Sequence, residues 1–440
     1  MPAPDSPPII VARFLRANNY NDTLSAFILE AGLSRDAGVI EKGDLTIEKI
    51  LEEKKVFDLT LRFEKPGLED GEKWTLPAPS NPTHISTLPS ATNILHVSVQ
   101  KFHGEKPFQL LLASTADRNL HLITTDMTFS IYKSLPYLQD SPILSCISFG
   151  EQGLKTITTG MSGQVVLYDH EMARVCDERK DHKKYVVKVA TWDKIVVTAG
   201  WDNKVFLYHA SGDFSSLGSP VAATTLSTNP ETITFVDHPD SDHPILLITR
   251  RDSTSLYYYS LELKLLGSQN LAPYSNSWVT FTPASVEVCP KDPTLLAVAT
   301  SAVPHMKVII VKLLLPSLTQ SPSNLASPVT QAAQTRNNLA IQDREEAAIQ
   351  VHVSTMAPQT PYSTPQVVWR PNGAGVFVNG DDGVIRGLEA KTGKIVATLQ
   401  GGHELGSKIR SIWCGVIEVE ERRKEWLVTG GFDHRLVVWD

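Results

Sequence analysis

From Trp74 to its end, the chain consists of short apolar runs separated by turn residues, and this arrangement recurs at intervals of about 40 residues. Each unit combines a strand, a tight turn with Asp near its middle, and a second strand that ends in an aromatic residue. Residues 194–209 and 426–440 show this layout most clearly. The same layout appears, more loosely in the last case, in residues 109–124, 154–170, 244–260, 375–390 and 295–312. Seven copies of one strand-rich unit predict a mainly β fold built from repeats.

The two ends of this array predict how it closes. Each copy supplies an inner strand and two central strands, and an outer strand precedes the next copy. The final copy stops at Asp440, directly after its third strand, and therefore lacks an outer strand. A spare strand between Trp74 and Leu88 precedes the first copy. We expect it to fill that place, which would leave no open sheet edge.

Residues 6–33 show a different pattern, the 3.6-residue spacing of two short amphipathic helices. Ile10 and Phe14 recur on one face of the first helix, and Leu24 and Phe27 recur on one face of the second. Helices this short are marginal in isolation, so the pattern predicts that their apolar faces pack against something else.

The sequence of this helical region, IIVARFLRANNYNDTLSAFILEAGL, closely resembles the LisH motif. The matching residues, in the order of the motif, are Phe14-Leu15, Asn19-Tyr20, Thr23, Phe27 and Glu30. Asn19 stands where the motif usually has Gly, and Asn tolerates the positive φ that this position requires.

The resemblance to LisH implies a dimerisation element over residues 6–40, because in that family the two helices pair with those of a second copy. The residues expected to form the contact are Ile10, Phe14, Leu15, Tyr20, Leu24, Phe27 and Ile28. The alternative is a helical hairpin that packs on the β domain of its own chain.

Two segments are predicted to connect the folded parts. Residues 44–63 begin as a charged amphipathic helix, which we expect to reach about Asp58, and continue as a linker. Residues 314–345 are rich in Ser, Thr, Gln, Asn and Pro, and their low hydrophobicity predicts a disordered insertion between the fifth and sixth copies.

The seven copies resemble WD repeats, and the dipeptide that names those repeats is present as Trp439-Asp440. The resemblance implies a seven-bladed WD40-type β-propeller over residues 73–440, with the small helical LisH element before it. The other copies are degenerate at this dipeptide, so the assignment depends on repetition. The alternative is another multi-stranded array.

In WD repeats a buried His, a Ser or Thr, the turn Asp and the aromatic residue form a hydrogen-bonded tetrad. The residues that match it are, in one copy, His182, Thr198, Asp202 and Tyr208, and in the last copy His403, Thr429, Asp433 and Trp439. A buried Asp is costly unless donors surround its oxygens, so we interpret these residues as structural.

The resemblance to WD repeats also predicts a docking surface, because the residue before each turn Asp points out of the face on which such propellers bind partners. In this chain those residues are Trp201, Arg251, Asp381 and Phe432, with Met161 at the equivalent place where the Asp is missing. Two aromatic residues and an arginine have the composition of an interaction hot spot. The alternative is that neighbouring loops cover Trp201 and Phe432.

The composition of the chain limits the kinds of binding partner and the cellular compartments that we expect. The chain carries 41 Lys and Arg against 48 Asp and Glu, with no block of like charges, so bulk charge does not attract nucleic acid. Its four cysteines are far apart and have no metal-ligand spacing, which indicates reduced thiols in an intracellular protein of the nucleus or cytoplasm. No signal peptide or long apolar span is evident.

The sequence lacks the motifs of the common catalytic and cofactor sites, including GxSxG, the P-loop, a GxGxxG after a strand, and HExxH. We therefore expect no enzyme activity, no cofactor and no metal. Arg250-Arg251 is followed by Asp252, where phosphoinositide-binding propellers have Arg-Arg-Gly, so we also expect no membrane partner.

Together these patterns favour a homodimeric scaffold that binds protein partners, as in LisH and WD-repeat proteins of corepressor, motor-regulatory and ubiquitin-ligase assemblies. The alternative is a propeller whose central channel binds a small molecule or catalyses hydrolysis. A cluster of convergent His, Asp and Glu in the channel would favour the second hypothesis.

Overall fold

The structure of the protein is a computed structural model. The residues that it describes are 6–40, 44–50, 74–103, 107–150, 153–169, 172–274, 281–318, 331–419 and 422–440. It divides into two compact units, Met1–Lys65 and Pro66–Asp440.

The first unit contains helices α1 (Pro7–Ala17) and α2 (Asn21–Glu30), joined by a turn in which Asn19 adopts a φ of 59°. Gly32, with a φ of 62°, follows the end of α2. Ala12, from α1, is fully buried in a small apolar core.

The segment after α2 packs back onto α1. Arg13 is buried and forms an ion pair of 2.9 Å with Asp44, and its Nη1 donates a hydrogen bond to the carbonyl of Leu45. The side chain of Arg16 donates to the carbonyl of Ala37. Residues 47–50 are helical, in agreement with the start of the predicted helix, whose remainder up to Asp58 lies outside the described residues.

The second unit is a seven-bladed β-propeller, in which seven antiparallel four-stranded sheets share one order from inner to outer strand. The first blade contains β2 (Ile94–His103), β3 (Pro107–Thr115), β4 (Asn119–Thr124) and β5 (Ile131–Pro136). The second contains β6 (Ile143–Phe149), β7 (Lys155–Gly160), β8 (Val165–Asp169) and β9 (Val175–Arg179). The third contains β10 (Val186–Trp192), β11 (Ile195–Gly200), β12 (Lys204–His209) and β13 (Ala222–Thr225).

The remaining blades have the same construction. The fourth contains β14 (Pro230–Val236), β15 (Ile245–Arg250), β16 (Ser255–Tyr259) and β17 (Leu265–Asn270). The fifth contains β18 (Pro283–Val288), β19 (Leu295–Thr300), β20 (His305–Lys312) and β21 (Ile349–Pro358). The sixth contains β22 (Val367–Trp369), β23 (Gly375–Val378), β24 (Ile385–Glu389) and β25 (Ile395–Leu399). The seventh contains β26 (Ile409–Val419), β27 (Arg422–Gly431), β28 (Leu436–Trp439) and β1 (Pro82–His84).

The second strand of each blade explains the continuous apolar runs in the sequence. All six residues of β11 are buried, because neighbouring blades cover both faces of the sheet. Leu247 of β15 and Leu296 of β19 belong to one core cluster that joins the fourth and fifth blades. The core of the propeller is therefore a ring of apolar layers between successive blades.

The propeller closes by pairing the two ends of its chain, as the sequence predicts. β1 pairs antiparallel with β28, placing Pro82 opposite Trp439 and His84 opposite Val437. The backbone N–H groups of Ser80 and Asn81 donate to the carbonyl of Asp440. The seventh sheet thus obtains its fourth strand from the first residues of the propeller.

Arg370, a buried arginine of the sixth blade, strengthens this closure. Its guanidinium forms two hydrogen bonds of 2.8 Å with the carboxylate of Glu425 in the seventh blade. It also donates to the carbonyls of Leu76 and Pro77, just before β1, and lies 4.6 Å from the ring centre of Trp74. One side chain therefore links two blades and the incoming segment.

The prediction of disorder is wrong for part of residues 314–345, because residues 331–348 form a helix, α3 (Gln331–Ala348). Residues 319–330 of that segment lie outside the described residues. The insertion lies between the fifth and sixth copies, as expected, but it falls between β20 and β21, inside the fifth blade rather than between blades 5 and 6. The helix is held by polar contacts: Gln342 donates to the carbonyl of Pro273, and Glu345 accepts from the N–H of Asn270. The Ala, Gln, Glu and Arg residues of this segment have high helix propensity, which favours the helix although apolar side chains are few.

No helix among the described residues is long and apolar enough to span a membrane.

Candidate functional site

The tetrad of the seventh blade is complete. His403 Nδ1 lies 3.0 Å from a carboxylate oxygen of Asp433, and its Nε2 lies 2.7 Å from Thr429 Oγ1. Trp439 Nε1 donates to the same hydroxyl over 3.0 Å. This series of hydrogen bonds connects Asp433 in the turn with Thr429 and Trp439, and it holds the turn between β27 and β28 in place.

The tetrad of the third blade is closed differently. His182 lies 3.0 Å from Asp202 and 2.8 Å from Thr198 Oγ1, as expected. The Tyr208 hydroxyl, however, donates to Asp181 over 3.1 Å. The phenol oxygen lies at the tip of the ring, whereas the indole N–H of tryptophan lies at its side, so the two rings direct their donors to different acceptors.

Both turn aspartates are stabilised as carboxylates. Burial alone would raise the pKa of Asp433, but hydrogen bonds from His403 and from the N–H groups of Glu404 and Arg435 outweigh it and lower that pKa. The pKa of Asp202 is lowered in the same way against the effect of burial. These groups are fully engaged within their blades, which agrees with a structural role.

In each blade, the turn between the second and third strands lies on the same face as the connections between blades, because successive strands are antiparallel. We call this the top face. Among the described residues, large exposed apolar side chains lie on it in seven of these turns and connections: Tyr137, Met161, Tyr274, Val303, Tyr362, Leu405 and Phe432. Two of them, Met161 and Phe432, are among the predicted docking residues.

Trp201 and Arg251 come together at one side of the top face. The ring of Trp201 stacks on that of Tyr185, with centroids 5.1 Å apart, and the Arg251 guanidinium lies 4.4 Å from the centre of the Trp201 ring. Arg251 Nε donates to Glu231 Oε1 over 2.5 Å. Trp201 is therefore partly covered, while Arg251 remains exposed at the edge of a preformed aromatic and cationic surface.

Phe432 and Asp381 lie at the other side of the top face, next to Lys408. The Lys408 ammonium is 6.0 Å from the centre of the Phe432 ring and 3.7 Å from Asp381, and it donates to the carbonyl of Tyr362. Ser363 also donates to Asp381. Asp381 therefore holds neighbouring loops together, whereas Phe432 and Tyr362 present apolar surface to solvent.

The predicted dimer contact residues of the helical unit do not share one environment. Leu24 is buried inside the unit, where it belongs to the same core as Ala12. Tyr20 is exposed, and its ring lies 6.3 Å from that of Phe14. The other predicted contact residues are partly buried: Ile10, Phe14, Leu15, Phe27 and Ile28. Leu29, which the motif did not single out, is 86% exposed.

The central channel opens between the two sides of the top face in a cavity of about 430 Å³. In six blades the inner strand carries a bulge at its second residue, and each of these residues lines the cavity. These residues are Leu95, Leu144, Val187, Glu231, Ala284 and Arg410. A bulge turns the extra side chain away from the ladder, so one position per blade forms a ring around the channel.

The ionisable groups of the channel are individually engaged or desolvated. Burial lowers the pKa of His96 to about 4, and its Nε2 donates to the carbonyl of Cys146. Burial raises the pKa of Glu287 to about 7, although the N–H of Trp369 and the nearby Lys188 oppose this shift. No His, Cys, Asp and Glu cluster able to hold a metal occurs among the described residues.

Arg250 and Arg251, the pair that stands where a lipid-binding motif has Arg-Arg, form hydrogen bonds with different residues of their own chain. Arg250 donates to Tyr257 and Thr228, whereas Arg251 donates to Glu231. The two guanidinium groups are thus held by different residues and do not act as one paired site.

Comparison with known families matches both parts of the chain. Residues 73–440 match the family described as UCP007778, beta-propeller domain, and residues 9–35 match that described as UCP007778, LisH domain. No curated protein matches the chain significantly.

Proposed function

The chain belongs to the UCP007778 family through both its LisH and its β-propeller domains, and from this premise we propose that it is a non-catalytic scaffold that binds protein partners on its top face. The proposal includes that the blades are WD repeats and that two copies associate through their LisH helices. The complete tetrad that Asp433 shares with His403, Thr429 and Trp439 supports the first point.

The observation that carries the proposal is the set of exposed apolar side chains on the top face, one of which, Val303, also lines the channel cavity. Tyr362 and Leu405 expose 86% and 81% of their surfaces at positions where they are not needed for packing. Exposed apolar groups that share one face with the partly covered Trp201 and the exposed Arg251 have the composition of protein–protein hot spots.

The channel itself supports binding rather than hydrolysis. His96 is a single histidine whose Nε2 is occupied by a carbonyl, and Glu231 is paired with Arg251. A hydrolytic site needs a nucleophile in contact with an oriented base, and the cavity lining contains no such pair among the described residues. We therefore include the absence of catalysis in the proposal.

The experiment is affinity capture from host-cell extract with the full chain and with the double variant Trp201→Ala and Phe432→Ala. We expect the yield of specific partners to fall at least tenfold, because loss of two aromatic anchors typically costs more than about 1.4 kcal/mol of binding free energy. The thermal midpoint of the double variant, measured in parallel, should remain within a few degrees of the wild type.

The matched control is Leu265→Ala on β17, an outer strand, where the leucine is 57% exposed and away from the top face. Its partner yield should equal that of the wild type. Equal capture by the double variant, or equal loss in the Leu265→Ala control, would overturn the proposal. If the double variant is destabilised, Tyr362→Ala replaces it, since that side chain is almost fully exposed.

A further inference from the structure

Arg410 is the only cation in the ring of six bulge residues that surrounds the channel. The other charged member of the ring, Glu231, is already paired with Arg251 at 2.5 Å. No described carboxylate lies within 4 Å of Arg410, and its guanidinium forms no hydrogen bond to a described residue. Arg410 is partly buried in the channel wall, and its N–H donors remain available to a ligand in the cavity.

Lys188 brings a second cation to the same part of the channel. It lies one position beyond the bulge of β10 and lines the cavity with Arg410, and both cations act electrostatically on His96. Its nearest carboxylate partner, Glu287, is more than 4 Å away and already accepts a hydrogen bond from the N–H of Trp369. The positive charge of this pair of side chains is therefore incompletely compensated.

The walls above these cations belong to the docking surface already described. Tyr185 and Trp201 line one side of the cavity, and Ser363 lines the other. A segment bound on the top face would therefore have the channel mouth directly beneath it. The cavity of about 430 Å³ lies within the range of small-ligand sites and can admit one side chain or modified side chain.

We propose that Arg410 and Lys188 form an oxyanion-binding site, which receives a carboxylate or phosphate group on a segment of the partner protein that docks on the top face. This inference rests on the proposed function, because the anion is brought by the docked partner. An arginine side chain can bind either group, because its planar guanidinium donates two parallel hydrogen bonds to the oxygens of a carboxylate or a phosphate.

The test uses three degenerate peptide libraries that differ only in a fixed central residue: phosphoserine, glutamate or serine. Binding to the full chain is measured by fluorescence polarisation. We expect the phosphoserine or the glutamate library to bind about tenfold more tightly than the serine library, as a charge-assisted pair provides. The library that binds more tightly identifies the source of the oxyanion.

The Arg410→Met variant should bind all three libraries as weakly as the wild type binds serine peptides. Arg118→Met, which removes an exposed arginine from a top-face turn outside the channel, should retain the tenfold preference. Because removal of an unpaired, partly buried cation relieves its desolvation, the thermal midpoint of Arg410→Met should not fall. Lys188→Met, as a second variant, should weaken the preference severalfold.

A wild type that binds the three libraries equally would overturn the inference, as would an Arg410→Met variant that keeps the preference. A fall in the thermal midpoint of Arg410→Met would also overturn it, because the arginine would then have a structural partner. The capture experiment and the peptide experiment can fail independently. If the Trp201 and Phe432 double variant loses partner capture but the three libraries bind equally, the proposed scaffold function stands and the oxyanion-binding site is rejected.

Discussion

Replacement of Arg370 by methionine is expected to lower the free energy of unfolding of the propeller by about 3 to 5 kcal/mol, the usual cost of breaking a buried ion pair on one side. The change leaves the Glu425 carboxylate and the carbonyls of Leu76 and Pro77 without their donor. It also removes the cation from the face of Trp74. Urea unfolding followed by circular dichroism measures the change.

The control for this prediction is Arg423→Met, on the same strand as Glu425. Arg423 forms a long, exposed contact with Glu418, which is worth at most about 1 kcal/mol. The double variant Arg370→Met and Glu425→Gln should lose less stability than the single variant, because no unpaired carboxylate remains. Equal stability of Arg370→Met and the wild type would show that closure does not depend on this arginine.

The full chain is expected to have twice its 48.4 kDa mass by light scattering, whereas a chain lacking residues 1–40 should have the monomer mass. Leu29 and Tyr20 expose apolar surface in a helical unit whose own core already encloses Leu24. Association of two such units would remove that surface from water, which favours the dimer.

A point variant separates this prediction from effects of truncation. Leu29→Asp should convert the dimer to a monomer, because a charge would have to be buried in the contact. Leu405→Asp introduces the same change at a similarly exposed leucine of the top face and should remain dimeric. A monomeric full chain, or a dimer that survives the deletion, would contradict dimerisation through the LisH helices.

The propeller could be predicted because the same pattern of strands and turns is repeated along the sequence. The turn Asp and the terminal aromatic recur in copies such as residues 194–209 and 426–440, and the family comparison and the seven sheets agree with that interpretation. The closing strand was predictable for a related reason, since a last copy with three strands requires a fourth. Arg370 was not predictable, because its partners lie in segments far apart in the sequence.

Helix α3 shows where the composition argument fails. Low hydrophobicity predicted disorder, yet Ala, Gln, Glu and Arg favour a helix independently of hydrophobicity, and Gln342 and Glu345 attach it to the fourth blade by hydrogen bonds. Local composition does not reveal such polar attachment, because the acceptor of Gln342 and the donor to Glu345 lie about 70 residues earlier in the chain.

The candidate site was only partly visible in the sequence. The position before the turn Asp identified Trp201 and Phe432, but Tyr362 and Leu405 lie in connections between blades that have no repeated pattern. Asp381 occupied the predicted position but interacts with Ser363 and Lys408. The ring of channel residues has a regular position, the second residue of six of the seven inner strands, which becomes recognisable once the strand starts are known.

The central claim, that the top face contacts a partner, is tested most directly by site-specific photo-crosslinking in cells. A photoreactive amino acid would replace Leu405, Met161 or, as the control, Leu265, all of them exposed. The account predicts that positions 405 and 161 crosslink to the same partner and that position 265 does not. Crosslinking to that partner from position 265 alone, or equally from all three positions, would contradict it.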